Sequence, residues 1–437
     1  MSQTVLSAGA ARQIITPPKG IFLIGYGDRA WGNRGVHDPL TATALVLDDG
    51  KRRAAIVACD LLCLNEFVVD RIREACGREV EVLVCCSHTH SGPIGYAGDE
   101  SPRANREYIE LLVERVAAAV RQAGDNLHPA RLAWSSGEAG IAVNRRERQA
   151  DGKMVIGENP LGPVDRAVQV LSVLGLDGER IATLVNFACH GTVWGPDNLL
   201  VSADWIGVMR SKVEEELGGL GLFLQGATGN LNPKMGWGRD DCWKMAVAQG
   251  EEVAGAVVRA CRENPADIAP APLLLERKEV WLPFEAPATS DEPPKLYRQR
   301  LLAMAHLPKW MGLVTDLLLD LRYPWRSRLG VRDGNWGVPM RATLLRVGDF
   351  GLVSFGAEVF TEIGLQVKAA SPTRQTMVTT YTDGCVGYLP TRQARAEGGY
   401  EVDTAPFAYR FPGEFSERCE GIALEAVGQG FSKLFSA

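Results

Sequence analysis

Six histidines occur in 437 residues, and two of them, His88 and His90, stand in the stretch Ser-His-Thr-His-Ser-Gly at 87–92. They directly follow Val82–Cys86, a short apolar run of the kind that forms a buried strand. Residues two apart on an extended chain share a face, so both imidazoles are expected to point into one cavity at the carboxyl end of that strand. A third, His190, follows a second apolar run, Ala182–Ala188, and again has a glycine beside it. Three neutral imidazoles delivered by two strand ends suit Zn2+, which accepts a tetrahedral set of nitrogen and oxygen donors and keeps a position for water. A lone strand-end histidine hydrogen-bonds backbone groups just as readily; the trio is what points to a metal.

The elements that must carry these residues are legible as alternating strands and helices. Leu352–Phe355 is a third short apolar run bounded by turn residues. Tyr108–Val120 repeats apolar residues at helical spacing, and Trp205–Leu217 and Trp243–Cys261 do the same. Arg346–Val353 places turn residues between apolar runs and predicts an antiparallel hairpin. The fold class is therefore α/β (α+β), with mixed sheets flanked by helices. The chain reads as one domain over 1–437, with a proline-rich extended connector at 264–294. After it, 295–322 carries two short helical patterns, either core helices or a lid beside a pocket.

Composition narrows the function classes. Hydrophobic residues make up 46% and charged residues 23%, the balance of a globular chain with a sizeable core. Lys and Arg number 47 against 53 Asp and Glu, without a basic stripe, so nucleic acid is not an expected partner. Met1–Ala11 shows no export signal, and Trp310–Leu321 is far shorter than the roughly 20 residues a membrane-spanning helix needs. The ten cysteines form no CxxC pairs and read as core residues of a reduced cytoplasmic protein. HExxH and GxSxG are absent, Gln225–Pro233 lacks the Gly-Lys of a phosphate loop, and Gly25-Tyr26-Gly27 fails as a dinucleotide fingerprint. A small molecule is the expected partner, and oligomeric state is not legible.

Taken in order, several motifs resemble the neutral/alkaline (non-lysosomal) ceramidase family, in particular its shorter bacterial members. They are 8–18 near the start, 87–93 around the first two histidines, 186–192 around the third with 201–204 after it, 226–233, 355–361, 387–391 and 398–402. The resemblance implies a ceramidase-like catalytic domain without the C-terminal β-sandwich domain of full-length ceramidases. It places Zn2+ on His88, His190, Glu358 and Tyr388. Read from the residues alone, Glu358 is as well explained as a carboxylate favoured at a helix N-terminus, and Tyr388 as an aromatic packed after a turn. The resemblance makes His90 a proton-transferring catalytic residue, Tyr400 a hydrogen-bond donor to the developing oxyanion or a substrate hydroxyl, and Arg145 a ligand for a substrate oxygen or anionic group. Arg145 also fits a solvated charge cluster with Glu147 and Arg148. Asp204, ahead of Trp205–Leu217, reads as an N-cap. Asn230, Asn232 and Pro233 read either as turn formers or as pocket lining.

The implied reaction is hydrolysis of an amide by metal-activated water, with His90 protonating the leaving group. The same centre would equally serve an esterase or lactonase, and the chain could also be a zinc-stabilised binding protein without turnover. Asp383 stands where the family more often has asparagine, which predicts a change in pocket polarity. The substrate expected is a small-molecule amide, either lipid-like or small and polar.

Overall fold

The computed structural model describes residues 6–26, 29, 31–93, 95, 96, 101–234, 241–288 and 327–436. Residues 295–322, with their two helical patterns, lie outside the described residues.

One order of elements occurs three times along the chain. A first strand pairs antiparallel with a second, a short hairpin leads to a third, a helix crosses to a fourth strand parallel to the third, and a longer helix closes the unit. The first unit runs Ser7–Ile14, Thr41–Asp48, Arg53–Cys59, helix Glu66–Cys76, Glu81–Cys86 and helix Arg103–Asp125. The second runs His128–Glu138, Ala167–Gly175, Arg180–Phe187, helix Asp204–Leu217, Leu220–Gln225 and helix Cys242–Glu263. The third runs Leu273–Pro287, Asn335–Val347, Phe350–Phe355, helix Thr361–Ala370 and Gln375–Thr379, and closes with helix Cys419–Phe435. The sequence shows no internal repeat, because what the units share is a pattern of burial rather than residue identity.

The first two units join edge to edge through Ser7 opposite Pro129 and Ala8 opposite His128, giving a nine-stranded mixed sheet among the described residues. The third forms a separate five-stranded sheet. Pleating sends alternate residues to opposite faces. Leu45, Leu83, Leu132, Leu171, Leu184, Leu222, Leu352 and Met377, from all three units, share one central core. Their neighbours face the helices: Val82 and Val84 share a buried cluster with Leu112 and Val116, Val185 with Trp205 and Val257, and Val353 with Ile363 and Phe431. Strands buried on both faces explain why the apolar runs are nearly continuous. Truncating one of these side chains, as in Leu184→Ala, is expected to cost about 2–5 kcal/mol.

Two sequence expectations change here. The proline-rich segment is extended, but Leu273–Pro287 is an integral strand rather than a connector: it occupies the sheet edge, where residues without an N–H such as Pro283 are tolerated. Asp204 is not an N-cap. It is the first residue of its helix, with φ 60°, and its carboxylate accepts from Trp205 N at 2.7 Å and Trp194 N at 3.3 Å.

Candidate metal centre

Each unit contains one parallel strand pair, and the segments leaving the carboxyl ends of all three pairs come together, the usual location of ligand sites in α/β sheets. His88 lies two residues beyond Glu81–Cys86, His190 three beyond Arg180–Phe187, and Glu358 three beyond Phe350–Phe355. Backbone contacts fix the loops to one another: His90 N donates to Gly191 O at 2.9 Å, and Thr89 bridges Gly191. The fully buried amide of Gln225 donates to Ser87 O and to Cys189 O, both at 2.9 Å, and its oxygen accepts from Cys189 N at 3.3 Å. Those are the residues immediately before His88 and His190, so one side chain sets the separation of the two histidine loops.

His88 and His90 do converge, with ring centroids 4.9 Å apart, but not through an extended backbone. His88 has φ 61°, so the chain turns sharply there and the rings meet across the bend. His190 stands 4.7 Å from His88 and 5.6 Å from His90 by centroid. Among the described residues these three histidines are the group of side chains placed to hold a metal ion. His88 Nδ1 bonds to Leu62 O at 2.8 Å and His190 Nδ1 to Leu231 O at 2.7 Å. A carbonyl can only accept, so each Nδ1 carries the proton and each Nε2 presents its lone pair to the centre, where that of His190 faces Arg145 Nη1 at 3.4 Å and that of His88 faces His90 Nε2 at 3.3 Å. Glu358 Oε2 lies 3.4 Å from His88 Nε2 and 3.9 Å from His190 Nε2. Tetrahedral donors at about 2.0–2.1 Å from Zn2+ sit roughly 3.3 Å from each other, so the donor set fits that ion.

The charge state of these groups suits the same role. Burial, then Arg145 and the other two histidines, pushes His190 well below its ordinary pKa; burial, His88 and the nearby Arg29 and Arg145 do the same to His90. Burial works against the charge on Glu358, but His88, the Tyr409 hydroxyl and Arg145 bring its pKa below the usual carboxylate range.

Tyr388 is the register partner of Glu358 in a two-strand parallel pairing, Glu358–Val359 against Tyr388–Leu389. Glu358 therefore sits in a strand, ahead of a helix that begins at Thr361, and its carboxylate faces His88 rather than serving as a helix-end charge. The Arg145 guanidinium lies over the rings of both Tyr388 and Tyr400, 5.4 and 5.9 Å from their centroids, and Tyr400 opens a π-helical turn, Tyr400–Thr404. Such turns are frequent at functional sites. Arg145 is 4% exposed, so it belongs to no solvated cluster. Its Nε donates to Glu401 Oε1 at 2.8 Å, its Nη1 to Asn232 Oδ1 at 3.3 Å, and its Nη2 is buried without a hydrogen-bond partner among the described residues. Arg146 Nη1 takes the other Glu401 oxygen at 2.8 Å, completing a buried Arg-Glu-Arg triad.

The seven residues that the family resemblance assigns to the site thus lie around one centre. Those that sequence reasoning missed are Glu401, Gln225, Tyr381 and Tyr409. Glu401 adjoins Tyr400 and was open to notice; nothing in the spacing marks the other three. Asn230 serves structure, its Oδ1 accepting from Thr361 N at 2.9 Å at the start of a helix, whereas Asn232 touches Arg145. Asp383 does not tune the pocket: its carboxylate accepts from Val84 N at 2.9 Å and pairs with Arg73 at 2.7 Å.

A mixed α/β fold thus brings three histidines, with a glutamate and its tyrosine register partner beside them, to one centre, and the histidines are placed to hold a metal ion. The sequence profile of neutral/alkaline non-lysosomal ceramidases, N-terminal portion, matches residues 7–236, and the chain belongs to that family. The neutral ceramidase of Mycobacterium tuberculosis is 26% identical over 248 residues, 49% of this chain and 38% of that protein. Neutral ceramidase B of Dictyostelium discoideum is 26% identical over 226 residues, 47% of this chain and 31% of that protein. The matches therefore span about a third of these relatives' length. A solved structure described as a ceramidase complexed with C2 superposes with a TM-score of 0.77 at 18% identity, covering 99% of this chain and 76% of that one. The neutral ceramidase of Pseudomonas aeruginosa gives 0.74 at 19%, covering 99% and 74%. Both share the fold.

Proposed function

We propose that the chain is a zinc-dependent hydrolase that cleaves an amide C–N bond in a small molecule, with His88, His190, Glu358 and Tyr388 holding the ion. The observation that carries this reading is the pair of Nε2 atoms on His88 and His190 facing one Glu358 oxygen at 3.4 and 3.9 Å. Both Nδ1 atoms are already committed to carbonyls. Bound there, Zn2+ supplies a water made acidic near neutral pH and a Lewis acid for a carbonyl oxygen. His90, kept neutral by burial, accepts a proton from the attacking water and passes it to the departing nitrogen. Tyr400 and the unengaged Nη2 of Arg145 donate to the carbonyl oxygen as it gains negative charge. Glu401 balances the arginine, so the donor is held without leaving an uncompensated cation in the interior.

The name neutral ceramidase, carried by the relatives, supports an amide as the bond and leaves a lipid-like and a small polar amide both within the class. The test is elemental analysis of the purified protein together with matched amide, ester, lactam and lactone substrates, with and without chelator. Chelator-sensitive amidase activity with one zinc per chain is expected; chelator-insensitive turnover overturns the reading, and a preference for esters or lactones moves the substrate class. His88→Ala and His190→Ala are expected to release zinc.

One distance favours a second reading of the ligand set. His90 Nε2 lies 3.3 Å from His88 Nε2, the spacing of two ligands on one ion, which would make His90 a third imidazole ligand in place of Tyr388. His90→Ala decides: zinc kept and hydrolysis lost supports the proton-transfer role, and zinc lost supports ligation.

A further inference from the structure

Glu358 is gripped by two phenols that the reading above does not use. The Tyr409 hydroxyl donates to Oε1 in a short hydrogen bond, and the Tyr381 hydroxyl donates to Oε2 at 3.2 Å. Tyr381 also stacks on the His88 imidazole, with centroids 3.8 Å apart and planes 17° from parallel. It is fully buried at the end of the third unit's parallel strand with φ 52°, a conformation costly for a bulky side chain. His88 occupies the corresponding position, two residues past the parallel strand of the first unit, and shares that left-handed conformation at φ 61°. The two strained turns thus present stacked rings to each other. One tyrosine orients a histidine and a carboxylate together, while the second holds the other carboxylate oxygen, Oε1, and also contacts Cys385 Sγ at 3.7 Å.

We propose that Tyr381 and Tyr409 are positioning residues that make Glu358 a one-oxygen metal ligand, with Tyr409 holding Oε1 and Tyr381 aligning Oε2 with His88. An ionised carboxylate offers about four lone-pair directions and is free to rotate or to bind through both oxygens. A donor fixed on Oε1 removes the two-oxygen mode. The longer bond to Oε2 leaves a lone pair of that atom on the side of the imidazoles, 3.4 Å from His88 Nε2. A phenol has an ordinary pKa near 10, so both hydroxyls carry their proton at neutral pH and can only help as donors to a charged carboxylate. Partners of this kind, hydrogen-bonded to a ligand rather than to the metal, typically change metal affinity by 10–100-fold.

This inference rests on the metal reading, and the experiment separates the two. Zinc affinity of the full chain is measured by chelator competition for wild type, Glu358→Gln, Tyr381→Phe and Tyr409→Phe, alongside the melting temperature of each metal-free protein. Removing either hydroxyl is expected to weaken zinc binding by roughly 10–100-fold, with metal-free melting temperatures close to wild type. X-ray absorption on zinc-loaded Tyr409→Phe is expected to show an added oxygen neighbour. Wild-type affinity in both Phe variants, with affinity lost in Glu358→Gln, overturns the positioning role alone. A parallel fall in metal-free stability with unchanged affinity also overturns it, since that is a packing role. Wild-type protein that binds no zinc overturns both readings. Should Tyr381→Phe not fold, the less buried Tyr409→Phe carries the test by itself.

Discussion

Replacing Glu401 with glutamine removes the charge shared by Arg145 and Arg146 while keeping the size of the side chain. Both nitrogen–oxygen contacts are 2.8 Å, and the three side chains are 5%, 6% and 2% exposed, so solvent screening offers little relief. The two arginines are not equally affected. Arg146 keeps Gly398 O at 2.8 Å, Ala394 O at 3.3 Å and Glu397 at 3.4 Å. Arg145 keeps the Asn232 oxygen, His190 Nε2 and two aromatic faces, none of which carries a full negative charge. Removing one partner of a buried pair costs about 3–5 kcal/mol; with Arg146 still compensated, the lower end, about 3 kcal/mol, is expected. Guanidinium chloride unfolding, read as a drop in midpoint at unchanged slope, measures it. Hydrolysis should fall as well, because Arg145 would no longer be held over Tyr388 and Tyr400. A Glu401→Gln protein within about 1 kcal/mol of wild type would refute the claim that this carboxylate neutralises the arginine pair.

Three further outcomes are expected. Gly25 has φ +112°, and a Cβ there would come within 2.4 Å of His90 Nδ1; on the proposed proton-transfer role of His90, Gly25→Ala should retain zinc but lose most hydrolysis, since it displaces that ring. Gln225→Leu leaves Ser87 O, Cys189 O and Cys189 N without this partner, and at about 1–3 kcal/mol for each orphaned buried group it should destabilise the chain by at least about 3 kcal/mol in denaturant titration. Burial, opposed by the Trp205 and Trp194 N–H groups and aided by Asp38, pushes the Asp204 carboxyl up to about 7. Its unfolded value is about 3.9, so the folded state binds more protons in between. Stability contributed there is full at low pH and falls as pH rises from about 4 to about 7, by up to about 4 kcal/mol. Asp204→Asn should flatten that slope in unfolding measured from pH 5 to pH 8.

The sequence was most informative where burial dictates pattern. Val82–Cys86, Ala182–Ala188 and Leu352–Phe355 are apolar because both faces are covered, and each was visible as a strand for that reason. The helix carrying Tyr108, Leu112 and Val116 was visible because only one face is covered. Histidines are rare enough that three beside strand ends drew attention. Leu273–Pro287 was obscured by prolines that an edge strand tolerates. Gln225, Tyr381 and Tyr409 escaped notice because their task is to bond groups 23 to 138 positions away, and such pairing leaves no local signature. The Asp204 reading failed because its carboxylate is engaged by Trp194 from the preceding loop as well as by Trp205.

The threefold order of elements bears on how the protein is assembled in time. His88 belongs to the first unit, His190 to the second and Glu358 to the third, so a chain still emerging from the ribosome presents at most two of these donors until more than four-fifths of it has been made. A cation cannot template the early stages of such a protein. The cation proposed for this site would act as a late clasp, discriminating finished molecules from truncated ones, and its removal should loosen the seam where the three units meet before it disturbs any one of them.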